Sequence, residues 1–153
     1  MKKKTLDTLV QDIYDKLDTL TEGQSLGVSE ETATAFGEAM KQALLGWSGE
    51  HPVNKPTLRM SNVGKPNRQL WYDMKATDQK NSFSASTQIK FLYGHILEEV
   101  VLFLARLAGH EVTDEQKEVK VQGIKGHMDC KIDGEVVDVK TASGFAIKKF
   151  KDG

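Results

Sequence analysis

The sequence predicts an α/β fold with an N-terminal helical extension. Three observations predict it. Apolar residues recur at helical spacing in three segments before residue 110, and the period changes to two from Val112 onward. An Asp133-Gly134 pair then stands between two β-like runs, the composition of a two-residue type I′ hairpin turn. Helix, three-stranded sheet and helix, met in that order, make an α/β core.

Leu6, Leu9, Val10, Ile13, Leu17 and Leu20 place an amphipathic helix over residues 5–20. Ser29 is a candidate N-cap, with Glu30 and Glu31 in the first turn, for a helix running to about Trp47. Gly46 to Thr57, with Gly49, Pro52 and Pro56, reads as a linker, so residues 1–50 form a helical hairpin ahead of a core over 59–153. A turn at Gly64–Pro66 leads into a short helix ending near Asp73. Residues 85–108 form the strongest helix, closed by Gly109 as C-cap. It is apolar nearly all round, one stripe holding Ile89, Val100 and Phe103 and another Phe91, Val101 and Leu102. It is therefore expected between the sheet and the N-terminal helices, which should cover the second stripe. Segments near 117–122, 126–132 and 135–140 read as strands, and Ser143 to Phe150 begins a further helix.

Composition narrows the function. Of 153 residues 39% are hydrophobic and 28% charged, values of an ordinary folded protein. No apolar run reaches about 18 residues, so no membrane partner is expected, and Lys2 to Lys4 precede an acidic amphipathic helix rather than a signal peptide. A cytoplasmic protein is expected. A lone cysteine, Cys130, excludes an internal disulfide framework and a four-cysteine iron–sulfur cluster. The formal net charge of −1 is unevenly spread: residues 59–110 hold seven Lys/Arg against four Asp/Glu, while residues 1–58 hold six against nine. A basic middle beside acidic flanks suits a local phosphate-binding face.

The turn fixes the hairpin register, so paired positions sum to 267. Ile132 faces Glu135, Lys131 faces Val136, Cys130 faces Val137, Asp129 faces Asp138 and His127 faces Lys140. Met128, Cys130, Ile132, Val137 and Val139 share the core face, where Cys130 should be inert. Asp129, Asp138 and Lys140 share the other. Two carboxylates directly opposite repel unless a cation lies between them, and all-oxygen ligands suit Mg²⁺ or Mn²⁺. A metal flanked by carboxylates beside an ammonium is suited to phosphodiester hydrolysis.

These residues also carry a resemblance. Gly126-His-Met-Asp129 followed by Asp138-Val-Lys140 resembles the GxxD…(D/E)xK core of the PD-(D/E)XK nucleases. Tyr93-Gly-His-Ile-Leu-Glu98 resembles the Gly-x-x-x-Glu motif of the RecB-like and lambda-type phage exonuclease branch. Ser61 to Tyr72, with Arg68, resembles that branch's serine–arginine–tyrosine segment. The resemblance implies a restriction-endonuclease-like core over 59–153 and a Mg²⁺-dependent, exonuclease-like deoxyribonuclease acting in phage DNA processing, recombination or degradation, in the host cytoplasm. It implies Glu98, Asp129, Asp138 and Lys140 as catalytic residues. The metal ligands it implies are Glu98, Asp129, Asp138 and the Val139 carbonyl, with no iron–sulfur cluster. Arg68 would contact substrate phosphate. The family's fourth strand and Gln-x-x-x-Tyr helix are not found before Gly153. A fragment is then one expectation, and a homo-oligomer or protein partner completing the fold is the other.

Further residues take weaker assignments. Ser61 and His127 are read as substrate contacts, His95 as packed beside Glu98, and Trp71 and Tyr72 as core aromatics at a helix end. Glu99 competes with Glu98, and only the family motif chooses between them. Lys148, Lys149 and Lys151 read as a solvated tail. The alternative function is a catalytically incomplete nuclease-fold module that binds nucleic acid or a protein partner.

Overall fold

A computed structural model describes residues 4–49, 57–75, 83–142, 147–148 and 151. Among these residues the fold is mixed α/β, with four α-helices and two small antiparallel sheets. Helix α1 spans Leu9–Thr21 behind a 3-10 turn at Leu6–Thr8, and α2 spans Glu30–Ser48. Ser29 caps α2 as its sequence position predicts, its Oγ accepting from the Thr32 amide at 3.1 Å. A 3-10 turn at Met60–Asn62 leads into α3, Asn67–Lys75. Helix α4 spans Ala85–Leu107, capped by Ser84 and followed by Gly109 in the left-handed conformation at φ 85°.

The strands are β1 (Val112–Thr113), β2 (Glu118–Val121), β3 (Ile124–His127), β4 (Cys130–Ile132) and β5 (Glu135–Val137). One sheet has the order β1-β4-β5, and β2 pairs with β3 in the other. The hairpin register is the expected one: Cys130 opposite Val137, Lys131 opposite Val136 and Ile132 opposite Glu135. Asp133 and Gly134 both take positive φ, 52° and 87°, as a type I′ turn requires.

The strand expected over 126–132 is instead divided between the two sheets. Its partner chain, 112–121, is interrupted by a turn in which Asp114 and Gln116 both adopt positive φ. Opposite that turn the ladder gives way to two loop bonds, Met128 N–H to the Lys117 carbonyl at 3.2 Å and Gln116 N–H to the Asp129 carbonyl at 2.8 Å. His127 consequently pairs with Glu118 and not with Lys140. The expected strand 135–140 keeps its ladder only to Val137, although alternating exposure continues through Val139 and Lys140. Most of the helix expected over 143–150 lies outside the described residues; Ile147 and Lys148 within it are helical. Lys149 lies outside them as well.

The core is small. Leu102 and Ala105 of α4 pack on Cys130 and Ile132 of β4, all four essentially inaccessible, with Leu6, Leu9, Val112, Val137 and Val139 around them. Helix α4 does lie between α1, α2 and the sheet, but its stripes are used differently from the expectation. Leu102 faces the sheet and the first turn of the chain. Phe103, from the other stripe, meets Phe36 of α2 with ring centroids 4.8 Å apart. Phe91 remains exposed and packs edge-on against Phe83. Buried His110 ties the layers together: its Nδ1 lies 2.6 Å from Asp133 in the hairpin turn and its Nε2 3.1 Å from Asp12 of α1.

Candidate active site

The end of β5 and the middle of α4 bring four of the sequence-selected residues into one electrostatic group. Asp129 lies in the short link that joins β3 to β4, and its Oδ2 accepts from the Val139 amide at 2.8 Å. That bond orients the half-buried carboxylate toward the chain leaving β5. Beyond Val137 the side chains of Asp138 and Lys140 both reach solvent, and Lys140 Nζ donates to Asp138 Oδ1 at 2.7 Å.

Glu98 approaches from α4, where its Oε1 accepts from the Gln116 side chain at 2.7 Å. Burial pushes the Glu98 carboxyl above its usual value, and the neighbouring Asp129 charge adds to the rise against the opposing Gln116 bond. Glu99 is also raised by burial, but the acids it senses are Glu115 and Glu98. The adjacent glutamates thus face different neighbours, and Glu98 is the one coupled to Asp129 and Lys140. Lys140 is held above the ordinary lysine value, chiefly by its bond to Asp138 and further by the charges of Asp138, Asp129 and Glu98. It is an ammonium throughout the physiological range.

Two clefts flank this group. The larger, about 890 Å³, is lined by Arg59, Ser61, Glu118, Lys125, His127, Asp138 and Lys140 among others. The smaller, about 420 Å³, lies between α2 and α4 and is lined by His95, Glu98, Glu99, Gln116 and Trp47. Ser61, His127, Asp138 and Lys140 therefore share one opening, while Glu98 faces the other. Arg68 does not line either cleft; its guanidinium lies over the Tyr72 ring, 5.9 Å from the centroid. Trp71 and Tyr72 are exposed and in edge-to-face contact, not core residues.

The donor set has the chemistry of a hard-cation site. Glu98, Asp129 and Asp138 each have one carboxylate oxygen in an internal hydrogen bond, leaving a second oxygen as a donor. Among the described residues no three His, Cys, Asp or Glu side chains are gathered closely enough to hold a metal ion. The carboxylates suit Mg²⁺ or Mn²⁺ in kind without closing around a common point.

Several residues that shape the site carried no local signal. Gln116 meets Glu98 across 18 positions of sequence. Gly126, part of the quoted motif, has a separate structural duty: a Cβ there would stand 2.8 Å from Met60 Cβ. That close approach lets residues 59–61 lie along β3, where Arg59 forms a parallel bridge with Lys125. Cys130 is buried and its thiol is pushed up to about 11, mainly by burial, so it is inert as expected. The chain matches no protein-family model, no curated protein and no solved structure.

Proposed function

We propose that the chain carries a metal-dependent nuclease site of PD-(D/E)XK type, with a restriction-endonuclease-like core, acting on DNA phosphodiesters. The observation that carries the reading is that Asp129, bonded to the Val139 amide, and the Asp138–Lys140 pair stand together where the chain leaves β5, with Asp138 and Lys140 lining the larger cleft and Glu98 on α4 close enough to feel the Asp129 charge. Glu98 and Asp129 are brought together from a helix and a hairpin 31 positions apart, and carboxylates are so concentrated at a cost that a cation would relieve.

Glu98, Asp129, Asp138 and the Val139 carbonyl would hold Mg²⁺ or Mn²⁺. A bound divalent ion supplies Lewis-acid polarisation of the phosphate and a more acidic water. The chain's own groups do the rest. The Val139 amide fixes the rotamer of Asp129, and Gln116 fixes that of Glu98. Lys140, charged at neutral pH, offsets negative charge developing on the phosphate and orients the attacking water as a donor. Its raised pKa argues for an electrostatic rather than a proton-abstracting role. Ser61 and His127 line the approach and offer hydrogen bonds to a phosphate.

Calorimetric titration with Mn²⁺ tests the site. Wild type is expected to bind, and Asp129→Asn to lose binding by at least about tenfold; equal affinity overturns the assignment. A second reading, a module that binds nucleic acid without turnover, is favoured by one observation: Lys140 is spent on Asp138 and the carboxylates do not close around one point. Mg²⁺-dependent cleavage by wild type excludes it.

A further inference from the structure

The β2–β3 hairpin carries more positive charge than the catalytic reading uses. Its register sets Lys120 opposite Lys125 and Glu118 opposite His127, so all four side chains share one face of the pair. Like charges directly opposite are unfavourable, and the local carboxylate, Glu118, forms an ion pair with only one of them. Glu118 pairs with Lys125 at 2.9 Å, whereas Lys120 makes no ion pair among the described residues. Arg59, bridged alongside Lys125, enters the same cleft and likewise has no ion pair among the described residues. Within that cleft each carboxylate already has its own lysine: Glu118 has Lys125 and Asp138 has Lys140. The surplus is therefore cationic: Lys120 on β2 and Arg59 on the neighbouring segment both stand level with Lys125, and β3 runs from there to His127, which shares the cleft with Lys140.

We propose that this hairpin face and Arg59 grip the sugar–phosphate backbone of duplex DNA, with Arg59 and Lys120 as phosphate contacts away from the reacting centre. An extended polyanion is the occupant that fits two unpaired cations set on either side of Lys125 across the hairpin. The guanidinium can hold a phosphate by two parallel hydrogen bonds, and the exposed ammonium acts as a point charge. The direction of the track toward Asp138 and Lys140 rests on the nuclease reading; the grip itself does not.

The test is fluorescence anisotropy of the full chain with a labelled linear duplex, in EDTA and across a salt series, beside a Mg²⁺ cleavage assay. Arg59→Ala and Lys120→Ala should each weaken binding about 3- to 10-fold and reduce the slope of log affinity against log salt by about 1. Arg59→Lys should keep the slope. Lys41→Ala on α2, whose lysine is paired with Glu38, should change neither quantity. Both alanine positions are exposed, so thermal midpoints should match wild type. Salt-dependent binding that neither variant alters, an equal loss in Lys41→Ala, or no binding by wild type overturns the proposal. Binding that needs Arg59 and Lys120 in a chain without Mg²⁺-dependent cleavage upholds the grip and overturns the catalytic reading instead.

Discussion

The β4–β5 hairpin turns at Asp133-Gly134 and the β2–β3 hairpin at Gln122-Gly123, and in each pair both residues take positive φ. Both are antiparallel with two-residue turns. Beyond the turn they diverge. Cys130 and Ile132 of the first are fully buried against α4, and its turn aspartate is tied to His110. The second presents Glu118, Lys120, Lys125 and His127 on one face, and on the other Val121 remains 56% exposed. A turn of this kind sets register and twist; side-chain pattern decides whether the ribbon becomes core or surface. One hairpin anchors the fold, and the other is free to serve a ligand.

Core truncation should separate the two most sharply. Ile132→Ala removes a side chain with no exposure and should cost about 2–5 kcal/mol, whereas Val121→Ala should cost less than about 1 kcal/mol. Urea denaturation of both variants measures the difference, and equal losses would show that the β2–β3 hairpin belongs to the same cooperative unit. Next in size is His110→Ala, which strips Asp133 and Asp12 of their shared partner at a cost of about 1–3 kcal/mol. For Asp133, burial pushes the carboxyl up but is outweighed by the bonds from His110 and the Glu111 amide, and the net shift is downward. A carboxyl lower in the folded than in the unfolded state stabilises above its unfolded value near 3.8 and loses that contribution as pH falls through the folded value. Acid titration of wild type should therefore loosen this node below about pH 4, and His110→Ala should blunt the effect.

The turn glycines give a finer contrast. Gly134→Ala and Gly123→Ala both place a Cβ at φ above 80°, at an intrinsic penalty of about 1 kcal/mol. The first should lower global stability, and the second should show only as faster amide exchange within β2 and β3. The smallest expected effect has the opposite sign. Because Glu98 is raised chiefly by burial and next by Asp129, its ionised form destabilises the fold as pH rises past its unfolded value. Glu98→Gln should raise the thermal midpoint slightly at neutral pH, and an unchanged or lower midpoint would remove the argument that the carboxylate is held under strain.

The comparison also shows what could be seen in the residues. Asp133-Gly134, the cap Ser29, and Gly109 are local signals acting over a few positions, and the structure follows each of them. Asp129, Asp138 and Lys140 follow from alternation out of that turn, although the ladder stops before Asp129 and Asp138 meet. The division of residues 126–132 was not legible, because it depends on a turn in the partner strand whose positive-φ residues, Asp114 and Gln116, are not glycines. Gln122-Gly123 holds a usable turn signal, weaker than Asp-Gly because glutamine has no preference for that conformation. The placing of Arg59 in the cleft and of Arg68 outside it depends on Met60 packing over Gly126, a contact between segments 66 positions apart.

On the proposed nuclease reading, Lys140 serves bond breaking rather than binding. Release of acid-soluble nucleotide from linear and circular duplex DNA, with Mg²⁺, compares wild type with Lys140→Ala. The account predicts Mg²⁺-dependent release by wild type and a loss of about 10²–10⁴-fold in rate for the variant. Mn²⁺ affinity should stay within about threefold, since an ammonium is not a metal ligand. Cleavage at the wild-type rate by Lys140→Ala, or release by wild type that is indifferent to Mg²⁺, would contradict it.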